Sequence, residues 1–148
     1  MTSSVAGYLG QAGIPMYNAS KHGVVALMRS LRHSLPKLGL AISVVAPAMT
    51  ITNITKQFAK DSDKYWDTLR KGGIAINTAD APAKAVCWLS SLGVGANGKG
   101  IFVQGNEFTE LERTIALSRG TWMGQRAYKM YHGGGDLKIY DRDFKSKF

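Results

Sequence analysis

A single cysteine, Cys87, stands in a chain of 148 residues. It cannot close an internal disulfide, and without further ligands it cannot build a cysteine metal site. Its expected place is that of a small apolar residue on a buried helix face. Long apolar runs are also missing. Asn18, Lys21 and His22 interrupt the richest region well short of the ~18 consecutive apolar residues that a bilayer span needs, so no membrane partner is expected. Met1-Thr2-Ser3-Ser4 shows no basic stretch leading into an apolar one, which makes the cytosol the expected location. The three histidines, His22, His33 and His132, fall at unrelated spacings with no zinc motif, and no metal is expected. Acids are few, 10 against 19 Lys and Arg, for a net charge of +9. Such an excess raises nucleic acid as a partner. However, the cations are scattered (Lys21, Arg29, Arg32, Lys37, Lys56) with Asp61, Asp63 and Asp67 close by, and no binding motif accompanies them, so the charge reads as solvated surface.

Hydrophobic residues make up 45% and charged residues 20%, the composition of one packed domain over 1–148. Val24, Met28, Leu31 and Leu35 recur on one face and predict a helix from Tyr17 to Leu35, ended by Pro36. Ala41 to Ala46 is a near-continuous apolar run with β-branched residues, the pattern of a strand covered on both faces, closed by Pro47. Asp61 or Ser62 caps a short amphipathic helix to Arg70, with Gly72-Gly73 as its stop. Asp80 and Pro82 start another helix to about Leu92, with Val86, Leu89 and Leu92 inward. A glycine-rich turn, Gly93 to Gly100, leads into a second buried strand at Ile101–Val103. Helical patterns return at Glu107–Leu117 and Thr121–Tyr131, and a charged, apolar-studded tail follows over 133–148. Two strands buried on both faces need neighbours. Either Ser3 to Leu9 supplies an irregular strand or another chain does.

The chemistry concentrates in Ser4-Val-Ala-Gly7 and Tyr17-Asn-Ala-Ser-Lys21-His-Gly. Tyr and Lys four apart near a helix start lie one turn from each other on one face. An ammonium beside a phenol favours phenolate, which turns a tyrosine into a general acid/base, and a serine hydroxyl upstream can bind the same substrate oxygen. Alone, the Tyr-Lys pair is also what an ordinary exposed helix shows. Other groups carry less. Ser20 beside Lys21 invites a Ser-Lys hydrolase reading, but neighbours on a helix diverge. Glu107, Glu110 and Glu112 read as a solvated helix face. Tyr8, Tyr65, Trp66 and Trp122 are core or interface before they are a flat substrate pocket.

The wider order of segments narrows the choice. Ser-Ser-Val-Ala-Gly, then Tyr-x-Ala-Ser-Lys-His-Gly with Tyr17 thirteen residues after Ser4, an amphipathic helix, and Val-Val-Ala-Pro47-Ala-Met-Thr50-Ile-Thr52 closely resemble the second half of the short-chain dehydrogenase/reductase family. The resemblance runs from Met1 to about Gly105, with 54–77 in the place of the family's variable substrate lid. It implies that Ser4 polarises the substrate oxygen, Tyr17 exchanges its proton, Lys21 tunes Tyr17, and Pro47, Thr50 and Thr52 lie on the nicotinamide side. Ala48 stands where the family usually has glycine, a mild departure. The family's glycine-rich pyrophosphate turn belongs to its first half. Gly93 to Gly100 does not replace it, because it follows a helix and enters a strand.

These features give an α/β fold, a truncated Rossmann-like sheet of few parallel strands with flanking helices, completed by oligomerisation. In the resembled family the Tyr-Lys helix packs at a subunit interface. The Val24, Met28, Leu31, Leu35 stripe would do so here, in a homodimer. With the adenosine and pyrophosphate site missing, the first functional expectation is a cofactor-independent, non-redox acid/base enzyme on a small molecule. It would perform cyclisation, lactonisation, isomerisation or dehydration. The tail Phe108 to His132, with Thr121-Trp-Met-Gly124, is similar to members from natural-product pathways and suggests a polyketide-like substrate. The alternatives are a fragment of an NAD(P)-dependent oxidoreductase and a non-catalytic oligomerisation module.

Overall fold

The computed structural model describes residues 1–57 and 62–133 and divides into two units, 1–111 and 112–148. The tail beyond 133, and Asp61 as a helix cap, lie outside the described residues.

The first unit is built on a three-stranded sheet in the order β1 (Val44–Pro47), β2 (Gly100–Gln104), β3 (Glu107–Glu110). β1 and β2 run parallel with Val44 opposite Gly100 and Pro47 opposite Val103. The two-sided burial expected of β1 is present. Val44 and Ala46 pack on one face with Val25 and Met28 of helix α1 (Pro15–Leu31), joined by the half-buried Tyr8, Val24 and Ile42. On the other face Val45 packs with Ile101, Val103 and Ala81, Ala85 and Leu89 of helix α4 (Asp80–Ser91). The outer edge of β1 is paired within the chain: Ser3 N donates to Val45 O at 2.8 Å and Val45 N to Met1 O at 3.0 Å. The pairing is a bridge at Thr2, not a strand over Ser3–Leu9. Beyond it Ser4 Oγ accepts from Ala6 N and draws Val5–Gly7 into a single 3-10 turn.

Several boundaries differ from the periodicity reading, each for a local reason. Helix α1 begins at Pro15, whose fixed φ and missing N–H suit the first helical position. It ends at Leu31, ahead of Pro36, which has no N–H to close a helical bond to the Arg32 carbonyl. Asn97 takes up the carbonyl of Arg32 at 2.8 Å, and Leu35–Leu38 forms a separate 3-10 turn. The strand starts at Val44 rather than Ala41 and includes Pro47. In α4 the inward positions are Ala81, Ala85 and Leu89, four apart; Val86 and Leu92 are exposed. Cys87, about 200° round the helix from Ala85, is exposed as well. Small residues at the contact let the helix approach the sheet closely.

The largest departure is at Glu107. Gly105 and Asn106 both take positive φ, 59° and 66°. This is the two-residue turn whose twist matches paired strands, so the chain returns antiparallel on β2 instead of starting a helix. Glu110 Oε1 accepts from Gly100 N at 3.4 Å across this hairpin, and Glu112 is buried, so the three glutamates are not one solvated helix face. The crossover from β1 to β2 carries the one-turn α2 (Asn53–Lys56), α3 (Ser62–Lys71) and α4. In α3, Tyr65 meets the buried Trp66 edge-on at 4.9 Å. In the second unit α5 (Glu112–Leu117), α6 (Arg119–Trp122) and α7 (Gln125–Gly133) follow one another. The single helix expected over Thr121–Tyr131 is split at Gly124, whose φ of 78° no helix accommodates.

Within the expected stripe Met28 is fully buried against β1 and Val24 packs partly on the same cluster, which corrects the assignment of Met28 to a subunit interface, while Leu31 and Leu35 are half-buried. Met28→Ala is expected to lower unfolding stability in urea by roughly 2–5 kcal/mol, whereas Leu27→Ala, at a half-exposed position, stays within about 0.5 kcal/mol.

Candidate active site

The site is assembled by a close approach between the Ser4 segment and α1. Ser3 is buried, and its Oγ donates to the backbone carbonyl of Lys21 at 2.9 Å. A Cβ on Gly7 would run into Ser3 Oγ and stand 2.7 Å from Lys21 O, so only glycine fits between the 3-10 turn and the helix. Arg29 covers the Tyr8 ring at 5.7 Å and closes the other end of this contact.

Tyr17 and Lys21 fall one turn apart on α1, as their spacing requires. Lys21 Nζ stands 5.5 Å from the centre of the Tyr17 ring and donates to Thr2 O at 3.4 Å. Lys21 is therefore gripped twice by the segment that precedes Ser4: its carbonyl by Ser3 and its ammonium by Thr2. Tyr17 is 45% exposed, open to a substrate. Asn18 Nδ2 donates to Gln11 O at 2.6 Å and ties the loop before the helix to its first turn. Ser20 Oγ donates back to Tyr17 O at 2.7 Å, which occupies it locally and leaves no role as a nucleophile beside Lys21.

Ser4 is only 8% exposed. Its Oγ accepts from Ala6 N at 3.2 Å and donates to Pro47 O at 3.4 Å, a long bond that a substrate oxygen can displace. The structure therefore joins Ser4 to Pro47, the residue that opens the loop after β1. Within that loop Ala48 N donates to Val103 O at 2.9 Å and Thr50 Oγ1 donates to Ala48 O at 2.9 Å. Thr52 caps α2: its Oγ1 accepts from Thr55 N at 3.3 Å, and Thr55 Oγ1 reaches back to Thr50 O at 2.8 Å. Of the two loop threonines, Thr50 is the one tied into the sheet end.

That tie is made by Asn77, a residue with no sequence signal beyond its place at the end of the lid segment. Its side chain is fully buried. Nδ2 donates to Val103 O at 2.8 Å and to Thr50 Oγ1 at 3.3 Å, and Oδ1 accepts from Asn106 N at 2.9 Å. The packing roles of Thr2, Ser3 and Gly7 against Lys21 likewise carried no signal in the sequence. Among the described residues no group of three His, Cys, Asp or Glu is placed to hold a metal. No described helix is long and apolar enough to cross a membrane.

Residues 1–63 match the family model for short chain dehydrogenases. The short-chain dehydrogenase/reductase prx4 of Penicillium rubens is 31% identical over 143 residues, 85% of this chain and 42% of the relative. The 3-oxoacyl-[acyl-carrier-protein] reductase FabG of Buchnera aphidicola is 37% identical over 89 residues, 60% of this chain and 36% of the relative. The chain belongs to the short-chain dehydrogenase/reductase family. Its fold agrees with the crystal structure of a 3-oxoacyl-[acyl-carrier protein] reductase from Brucella melitensis in complex with NAD, at a TM-score of 0.59 and 23% identity over 70% of this chain and 42% of that one. The chain thus spans about two-fifths of the length of these short-chain dehydrogenase/reductase relatives.

Gly7→Ala is expected to destabilise the protein by about 1–3 kcal/mol through the forced separation of the 3-10 turn from α1. Gly10→Ala, which meets nothing within 4 Å, serves as the control with little effect. Urea unfolding of the two variants checks this.

Proposed function

We propose that this chain carries the proton-transfer half of a carbonyl–alcohol oxidoreductase that works with a nicotinamide dinucleotide on a small molecule. The observation that supports it most is the Lys21 ammonium held against the solvent-open Tyr17 ring by the Thr2 carbonyl. In the reducing direction the Tyr17 hydroxyl gives its proton to the substrate oxygen. The Lys21 ammonium stands 5.5 Å from the centre of that ring. Ser4 Oγ exchanges its long bond to Pro47 O for one to the same oxygen, which stabilises charge there as the carbonyl is polarised. In the oxidising direction the same groups take the proton back.

The nicotinamide end of the cofactor fits the residues present. The Thr50 hydroxyl donates to Ala48 O and accepts from Asn77 Nδ2, which ties the loop after β1 to the sheet end. Pro47, Thr50 and Thr52 of this loop are the residues that would hold the nicotinamide. When bound, the nicotinamide supplies or accepts the hydride.

The non-redox reading uses the same Tyr17, Lys21 and Ser4 proton chemistry and differs in needing no hydride. The reductase names of the relatives favour the redox form. They also suggest a 3-oxoacyl compound as the substrate class. A cytosolic setting and self-association belong to this reading as well.

The test is turnover of ethyl acetoacetate with reduced nicotinamide dinucleotides by the wild-type chain and by Tyr17→Phe and Lys21→Met. Both variants should lose about 10²–10⁴-fold in kcat. Unchanged turnover of Tyr17→Phe sinks the proton role, and product formed without dinucleotide oxidation replaces the redox reading with the non-redox one.

A further inference from the structure

Tyr17 stands in the first turn of α1, and that turn is weakly closed. Ile14 precedes the helix as its cap residue and makes no side-chain bond to it, no acid stands in the first turn, and Pro15 opens it without an N–H. The amides of Met16 and Tyr17 have no acceptor within the helix, so this end is where fraying starts. On its C-terminal side Tyr17 is secured, because one turn further on Lys21 is gripped through its carbonyl by Ser3 and through its ammonium by Thr2. On its N-terminal side the chain arrives through residues 10–13, exposed throughout, with Gly13 at a φ of 85°.

Asn18 joins these two sides. Its backbone N–H makes a helical bond to Ile14 O at 3.0 Å, and its side-chain Nδ2 donates to Gln11 O at 2.6 Å. Because the partner is a carbonyl, the nitrogen of the amide must face it, which fixes the place of Oδ1 as well. Oδ1 is buried and meets no donor. An asparagine here therefore costs the helix twice, in intrinsic propensity and in an unmet acceptor. What it supplies is one short bond that ties the arriving loop to the uncapped turn. We infer that Asn18 is a positioning residue for Tyr17: its bond to Gln11 O latches the first turn of α1 in place of a cap and so holds the Tyr17 phenol against Lys21. The catalytic consequence rests on the function proposed above; the latch itself does not.

Two variants test this, because ordinary helix energetics and the latch predict opposite outcomes. Asn18→Ala brings in a better helix former and removes the sealed oxygen. Asn18→Asp keeps the shape and places a carboxylate near the helix N-terminus, where it is favoured. Both should tighten the first turn unless the bond to Gln11 holds it. With the latch, the amide at position 18 and that of Ala19 should exchange at least about tenfold faster relative to their intrinsic rates, while Val25, deeper in α1, keeps its protection. Equal or slower exchange in either variant overturns the latch. The phenol is followed by the NMR cross-peak between the Tyr17 ring and the Lys21 ε-methylene, which should be lost in both variants. A cross-peak kept while the amides exchange faster overturns the positioning of Tyr17. In turnover of ethyl acetoacetate with reduced dinucleotide, both variants should lose about tenfold in kcat with KM within about twofold, and an unchanged kcat overturns the catalytic consequence. A wild-type chain without turnover contradicts the function proposed above, and the exchange rates and the cross-peak then decide the latch by themselves.

Discussion

The site depends on one close approach, the backbone of Gly7 against the carbonyl of Lys21. There the turn that follows Ser4 meets the helix that carries Tyr17 and Lys21. The Met1–Ser3 segment is aligned by its pairing to Val45, Ser4 starts a single 3-10 turn, and Gly7 lets that turn lie on α1 without a side chain between them. Ser3 converts the approach into a hydrogen bond on Lys21 O. Because Val25 and Met28 pack α1 on β1, a shift of the helix to relieve a clash would disturb that packing. The position of α1 against the Ser4 turn is therefore set by two small residues, Ser3 and Gly7.

A second fixed point lies at the far end of β1. The loop from Pro47 to Ile51 receives Ser4 Oγ at its start and is held by Asn77 at its end. The strand between these points is four residues long and buried on both faces. The serine side and the loop side of the site are thus two extensions of one short rigid element. The segment between the loop and Asn77 carries α2 and α3.

The sequence made much of this legible. The buried strand at Val44–Ala46, the helix with Tyr17 and Lys21 on one face, and the helix from Asp80 all rest on periodicity and punctuation, which are local. What was not legible came from long-range partners. Periodicity counted Val86 as core, but the small Ala81 and Ala85 decide how α4 meets the sheet. Glu107–Glu110 carries a helical pattern that the Gly105-Asn106 turn overrides, because a hairpin needs only two residues of positive φ to commit the chain. Of the candidate site, Tyr17, Lys21 and Ser4 could be named because the spacing of the pair suggests proton chemistry and the order of the segments resembles the family's. Asn77 could not, since its partners Val103 and Thr50 are 26 and 27 residues away and nothing in an Ile-Asn-Thr triplet announces a buried amide.

The central claim is that this chain presents a nicotinamide-facing loop beside a Tyr17–Lys21 proton donor. It is tested most directly by calorimetric titration of the purified chain with the oxidised and reduced forms of both nicotinamide dinucleotides. The account predicts saturable binding of at least one of them. No binding by a chain whose unfolding remains cooperative would contradict it and leave Tyr17 and Lys21 to chemistry without a hydride.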